Sequence, residues 1–306
     1  MGKLMLKRLW EALPILWLVA TLTFLLARVA PGGPFDRESP LPPEVKAAIE
    51  AHYGLDKPLA VQYGVFLKNL VCGDLGPSYK YPGWTVQELI ADKLPVSLEL
   101  GALAMGVALV LGLGAGLLAA SRPHRARDTV SMGAAMTGLC LPTFVLGPLL
   151  LLVFALKLGW FNAAGWGSAG DTVLPALTLG LYYAAFIARL TRGSMLEVRT
   201  QDFMRTAKAK GASPARAYLL HGCRNALGPV ISYLGPTVAG VLTGSFVVET
   251  VFQIPGLGRF FVSAALDRDY PMVLGTVVFY AALILLCNLL ADLLLAWLNP
   301  RLRKGV

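Results

Sequence analysis

An all-α protein that crosses a membrane six times is the fold this sequence predicts, and three observations lead there. The first is bulk composition: 56% of the 306 residues are hydrophobic and 15% charged, against about 45–50% and about 25% in an ordinary soluble domain. A bilayer accepts that much apolar surface and a soluble interior of this size does not. The second is that six segments reach the about 20 mostly apolar residues that span hydrocarbon: Leu9–Val29, Val96–Ala120, Val130–Leu156, Val173–Leu190, Pro229–Thr250 and Met272–Leu298. The third is that Lys and Arg collect in alternate connections, which only an even number of spans explains simply.

The first span follows Lys3, Lys7 and Arg8. Its apolar core is longer than that of a secretory signal, and Ala30-Pro31-Gly32-Gly33 sets a proline where cleavage is awkward, so it reads as a retained anchor. From Pro31 to Lys93 the lysines are balanced by Asp36, Glu38, Glu44, Glu50, Asp56, Asp74, Glu88 and Asp92. Pro43-Glu44 opens one amphipathic run, Pro58 opens another, and Thr85-Val86-Gln87-Glu88 has the Thr-x-x-Glu form of a capping box. These runs read as short helices lying on a membrane surface, either a lid or a docking surface.

In the second span Gly112 and Gly116 form a GxxxG pair. The local GLGAG lacks both GxGxxG spacing and a preceding strand, so it predicts close helix packing rather than a nucleotide loop. Pro14, Pro142 and Pro148 interrupt spans and are read as kinks, because a bundle can satisfy the freed carbonyls. Arg122, Arg125 and Arg127 follow the second span. Arg192, Arg199, Arg205, Lys208, Lys210, Arg216 and Arg224 follow the fourth, and Arg301, Arg303 and Lys304 follow the sixth. The positive-inside rule places these connections and both termini in the cytoplasm. The chain then divides into residues 1–30 (tail and first span), 31–95 (outer segment) and 96–306 (five further spans, with a basic connection at 191–228).

The net charge of +9 belongs mostly to those connections. No basic segment carries the interleaved aromatics of a single-strand binder, so no nucleic-acid partner is expected. Cys72, Cys140, Cys223 and Cys287 are scattered without CxxC spacing and read as reduced, packed residues. His52, His124 and His221 are equally dispersed, and no metal site is expected.

The most informative stretch runs from Arg199 to Asn225. Asp202 to Ala209 predicts a polar helix stopped at Gly211, the residue best suited to a left-handed C-terminal turn. Ser213 then offers an N-cap hydroxyl and Pro214 an N1 residue whose missing N–H does no harm, so a second helix follows to about Arg224. A long, helical, basic connection of this kind is either a surface-lying helix or a surface gripped by another protein.

Within it Arg205-Thr206-Ala207-Lys208-Ala209-Lys210-Gly211 resembles the EAA-x-x-x-G loop of ABC importer permeases in its peptide-transporter form, RTA-x-A-K-G. Arg205 replaces the first Glu of the general motif, and His221 to Arg224 stand where its I-x-L-P is expected. Further stretches resemble the B-type permease of oligopeptide importers: Leu41-Pro42-Pro43-Glu44-Val45, the run from Gly73 to Tyr81, Arg192-Gly193-Ser194-Met195, Glu249-Thr250 with Pro255-Gly256-Leu257-Gly258, Arg268-Asp269-Tyr270 and Asn299-Pro300-Arg301. Gly76-Pro77-Ser78-Tyr79-Lys80-Tyr81 is similar to the oligopeptide branch in particular; dipeptide, nickel and glutathione importers share the scaffold.

The resemblance implies a type I ABC importer permease in the bacterial inner membrane. It implies a second, homologous permease as heterodimer partner, two cytoplasmic ATPases that use ATP and Mg, and a periplasmic binding protein that delivers peptide. This chain would bind no cofactor and catalyse nothing, and it has no G-x-x-x-x-G-K-[ST]. Arg205, Thr206, Ala207, Lys208, Lys210, Gly211, Ala212, Ser213 and Pro214 would form the ATPase-coupling loop. The pathway would be lined by later spans, whose polar residues include Thr243, Ser245, Glu249, Asn288 and Asp292. Thr243, Ser245 and Glu249 with Gln253, Pro255 and Gly256 are the candidates for an outer gate, although Glu249 has the alternative reading of a helix cap. Asp292 reads as a structural partner near Arg301 and Arg303, and Glu99 and Arg28 as residues snorkelling at span ends. An ion-coupled secondary transporter would instead call for inverted repeats and a midplane carboxylate. An intramembrane enzyme would need a nucleophile or metal constellation within the spans, and none is visible.

Overall fold

The computed structural model describes residues 2–29 and 43–298, and these are helical almost throughout. The only extended pairing among them is a bridge between Pro77 and Thr85. Ala30 to Pro42, with Asp36, Glu38 and the start of the Leu41–Val45 motif, lie outside the described residues. So do Asn299, Pro300, Arg301, Arg303 and Lys304.

Helix α1 (Gly2–Val29) passes through Pro14 without a break. The outer segment forms α2 (Pro43–His52) and α3 (Leu59–Val71), the latter with Pro58 as its N-cap. Helix α4 (Val86–Ser121) runs for 36 residues and starts well before the expected span edge at Val96. The Thr85 N–H donates to Glu88 Oε2 at 2.8 Å, and the Glu88 N–H returns to Thr85 Oγ1 at 3.4 Å. That capping box opens the second span itself, not a separate surface helix.

The third span departs from expectation. Helix α5 (Ala126–Cys140) and helix α6 (Thr143–Leu150), continued by a π-helical segment over Leu151–Lys157, meet at 105°. Pro142 is therefore an end, not a kink. A residue before proline is pushed out of the helical region, and Leu141 is extended at φ −99°, ψ 117°. Pro148 does lie inside a helix. Among the described residues five helices are long and apolar enough to cross a membrane, and six if the bent pair is one span.

Helix α7 (Ala169–Arg199) continues past Leu190, so the basic connection begins as an extension of a span. It is followed by α8 (Asp202–Ala209), α9 (Pro214–Arg216), a π-helical turn over Ala217–Gly222 and α10 (Cys223–Ala226). The chain ends with α11 (Gly228–Val251), α12 (Leu257–Asp267) and α13 (Tyr270–Leu298). All four cysteines are free, but Cys72 and Cys140 are exposed where packing was expected. Each sits at a helix end, Cys72 capping α3 and Cys140 closing α5.

Two compact units result. Of the described residues, one comprises 96–255 and 286–298; the other comprises 2–29, 43–95 and 256–285. In the first, Leu100, Leu174, Leu179, Val248 and Phe252 form an apolar core. The GxxxG pair packs α4 on α7 at backbone distance: a Cβ added at Gly112 would stand 2.8 Å from Ala184 O, and one at Gly116 2.7 Å from Ala188 O. Only glycine permits that approach. A bidentate pair joins α5 to α7, Arg192 Nε and Nη2 donating to the Asp128 carboxylate at 2.7 and 2.8 Å. The same carboxylate accepts the His124 N–H at 2.9 Å.

In the second unit, Val86, Leu89, Ile90, Leu257 and Met272 form the core. The Gly73–Tyr81 motif meets the Arg268-Asp269-Tyr270 motif here. Asp269, 1% exposed, accepts the Ser78 hydroxyl, the Tyr79 N–H at 3.1 Å, the Lys80 N–H at 3.4 Å and the Met272 N–H at 3.3 Å. One buried carboxylate thus caps α13 and pins a loop some 190 residues away in sequence. Lys80 pairs with Asp267 beside it.

Candidate functional site

The basic connection folds as its local signals dictate. Thr206 Oγ1 turns back on Asp202 O at 3.0 Å within α8. Gly211 takes φ +86°, and the Ala212 N–H reaches Ala207 O at 3.1 Å, the six-to-one bond of a Schellman ending. Ser213 Oγ then accepts the Arg216 N–H at 3.3 Å, with Pro214 at N1 of α9. The second helix extends through Ala226, but in three pieces, and its π-helical middle has no counterpart in any sequence signal.

The hairpin has two faces. Underneath, Met204, Ala217 and Ala226 are buried with Ala120, Met195 and Val198. Outside, Arg205, Thr206, Lys210, Gly211, Ser213 and Pro214 are exposed, and Ala207 and Ala212 are half-buried. The Lys208 side chain lies outside the described residues. Arg216 and Arg224 add exposed cations, and Leu219 and Leu220 add exposed apolar surface. Two side chains tie the basic connection to carbonyls in the last turns of α4. Tyr218 Oη donates to Leu117 O at 2.7 Å, and Arg199 Nη1 to Ala120 O at 2.5 Å. Burial pushes the Tyr218 phenol up to about 12. Tyr218 carries no sequence signal of this role, standing among Ala215, Ala217, Leu219 and Leu220 in a mixed helix.

The second group of candidates centres on α11. Glu249 is fully buried, and its Oε1 accepts the hydroxyls of Ser245, one turn earlier, and Ser97, on α4, both at 2.8 Å. Ser97 was not foreseen, because a single serine at the start of an apolar stretch is unremarkable in sequence. Thr243 Oγ1 returns to Ala239 O at 2.9 Å on its own helix and is not brought to the carboxylate by any such bond. After α11 the chain turns through Gln253, a non-glycine residue at φ +54°, and Pro255. Gly256 falls in the other unit, as the N-cap of α12. Of the residues at span ends, Glu99 accepts the Trp166 indole N–H at 3.2 Å, while the Arg28 guanidinium lies over the rings of Phe24 and Tyr270 at 5.3 and 5.7 Å. Asn288 and Asp292 are half-buried on α13. No cluster of three or more His, Cys, Asp or Glu suited to a metal occurs among the described residues. The arrangement offers a docking surface and a buried polar joint between two spans.

Comparison with known proteins gives this geometry its setting. Residues 112–304 match the family described as binding-protein-dependent transport system inner membrane component, and residues 1–101 match its N-terminal membrane-component family. The chain is 48% identical to the oligopeptide transport system permease protein OppB of Haemophilus influenzae over 305 residues, covering 99% of this chain and 100% of that one. It is 46% identical to OppB of Escherichia coli K12 with the same coverage. Against the dipeptide transport system permease protein DppB of Bacillus subtilis the identity is 44%, covering 99% of this chain and 98% of that one. Among solved structures, the MetNI methionine ABC transporter in inward-facing form aligns with a TM-score of 0.55 at 19% identity, over 70% of this chain and 97% of that one. An amino acid ABC transporter aligns at 0.52 and 18%, over 70% and 94%; both likenesses concern the fold. The chain belongs to the inner-membrane permease components of binding-protein-dependent ABC importers, non-catalytic subunits that work with a binding protein and an ATPase.

Proposed function

We propose that this permease imports oligopeptides, as one half of a heterodimer with a homologous permease. The observation that carries the substrate class is near-complete coverage at 46–48% identity to permeases named for oligopeptide transport. The Gly76–Tyr81 motif supports the same branch. Dipeptides are the second reading, favoured by the 44% identity to a dipeptide permease. The assembled complex in proteoliposomes, supplied with its binding protein and internal ATP, should accumulate labelled tetrapeptide. Uptake of dipeptide alone would move the chain to the dipeptide branch, and uptake driven by an ion gradient without ATP would overturn both.

In this reading the hairpin from Arg205 to Pro214 docks on the ATPase, whose nucleotide is ATP with Mg. The exposed cations and rigid local caps support this role, as do the two bonds to the end of α4. Both termini and the hairpin are cytoplasmic in this reading, which the Lys and Arg distribution supports. An impermeant maleimide applied to intact cells should label a single-cysteine form retaining Cys72 and spare one carrying Lys210→Cys. The reverse pattern would remove the docking proposal. Glu249, with Ser97 and Ser245, holds α11 to α4 in the resting state, so that outward opening has to break this joint.

A further inference from the structure

Helix α7 presents a different kind of surface from the other long helices. Among the described residues, large hydrophobic side chains stand exposed on α1, α4, α11 and α13, most of them aliphatic, and none does so on α7. Between Thr178 and Ala188 the side chains of α7 that are not buried are Leu181, Tyr182, Tyr183 and Phe186. Tyr182 is nine residues after Val173 and eight before Leu190, the two ends of the apolar stretch. About 13 Å of helix therefore lies on either side of it.

The rings form a continuous row from α7 to α11. Tyr182 meets Tyr183 edge-on with centroids 5.1 Å apart and Phe186 at 5.5 Å, and Phe186 meets Tyr233 of α11 at 6.0 Å. Glycines on α11 make room for the row. A Cβ added at Gly240 would stand 2.9 Å from Tyr183 Oη, and one at Gly244 3.6 Å. The Tyr182 and Tyr183 hydroxyls make no hydrogen bond to any described residue. A hydroxyl facing lipid tails finds no partner, and tyrosines otherwise collect at the membrane–water interface. Two of them halfway along a span call for polar surroundings.

On the peptide-import reading above, we propose that Tyr182, Tyr183, Phe186 and Tyr233 line the passage that the peptide crosses. A phenol both donates and accepts, so the two hydroxyls match the N–H and C=O groups of the peptide main chain. The ring faces offer an apolar or stacking contact to side chains of many types. Such a surface grips main chain and tolerates sequence, which suits a class of substrates and not a single compound.

The test uses the complete transporter in proteoliposomes, with ATP and peptide-loaded binding protein. In a form with Cys72, Cys140, Cys223 and Cys287 replaced by serine, Tyr182→Cys or Val110→Cys supplies one thiol. Val110, near the middle of its own span on α4, is 73% exposed. An impermeant trimethylammonium methanethiosulfonate should modify Tyr182→Cys at least about tenfold faster than Val110→Cys, because only a thiolate in contact with water reacts. Equal rates would overturn the passage and leave the row to lipid or to a second permease. A tetrapeptide carrying benzoylphenylalanine, photolysed during uptake by the unaltered transporter, should attach to α7 or α11 at the row. Attachment only to the binding protein or to other spans would overturn the contact. Fast modification of Tyr182→Cys in a transporter that takes up no tetrapeptide would uphold the passage and overturn the peptide as its occupant.

Discussion

The Asp269 joint and the basic hairpin are held in opposite ways. At Asp269 a single buried carboxylate receives a hydroxyl and three backbone N–H groups, and the partners on one side are some 190 residues away in sequence. In the hairpin, the turn is fixed by Gly211, Ser213 and Pro214 within four residues, over a modest core of Met204, Ala217 and Ala226. The first stores its stability in one long-range hub, and the second spreads it over local caps that survive singly. A hub is costly to lose but silent while intact. A locally built turn can be perturbed at its surface without the fold coming apart, which suits an element meant to be handled by a partner.

Removing the hub should have the largest effect. Asp269→Ala removes the acceptor of the Ser78 hydroxyl and of the Tyr79 and Met272 N–H groups, while the Lys80 N–H keeps Ser78 Oγ at 3.2 Å, a loss of about 3 kcal/mol or more. Membrane abundance and melting temperature should both fall, with Asp269→Asn intermediate; unchanged stability would dissolve the contrast. Gly211→Pro comes next. Proline cannot take φ +86°, so α9 leaves in the wrong direction and ATP-driven uptake should drop at least about tenfold, while abundance stays near wild type, because no core residue is touched. Normal uptake would show that the hairpin is not the coupling element.

Glu249→Ala sharpens the comparison from a third position, since this carboxylate is also buried and accepts the hydroxyls of Ser97 and Ser245. If the joint opposes outward opening, ATP hydrolysis without binding protein should rise per assembled complex, with stability lower by about 1–3 kcal/mol, the cost of an unpaired buried group, seen as a lower melting temperature. Lower stability with an unchanged basal rate would make it an anchor only. The smallest effect belongs to Ser213→Ala, worth about 1 kcal/mol as a lost N-cap. It should be visible as faster amide exchange in α9 and nearly silent in uptake.

The same distinction governs what could be read from the sequence. Gly211, Ser213 and Pro214 act on their neighbours, so the hairpin was legible down to its caps. The GxxxG contact was legible too, because it depends on spacing within one helix. The break at Leu141-Pro142 was misjudged: a proline permits either a kink or an end, and the decision rests on packing that local sequence does not encode. Ser97 beside Glu249, Asp128 beside Arg192 and Ser78 beside Asp269 were invisible as pairs, since each joins residues far apart in the chain through geometry that only the fold supplies. Asp269 itself had been noticed as part of a motif, but nothing in the motif announces that it caps one helix while pinning a distant loop.

The glycine contact between α4 and α7 has a mechanical consequence. With no side chain between them at Gly112 and Gly116, the two backbones interlock with the Ile187 and Thr191 branches as teeth in a notch. Shifting either helix lengthwise by one residue would drive a β-branched carbon into a main chain, and close-packed interiors do not yield by that much. Axial slippage is therefore forbidden while a small roll about the contact is not. A displacement delivered to the Arg199 end of α7 then passes to α4 at Gly112 and Gly116 as travel of a paired strut and not as sliding between two rods.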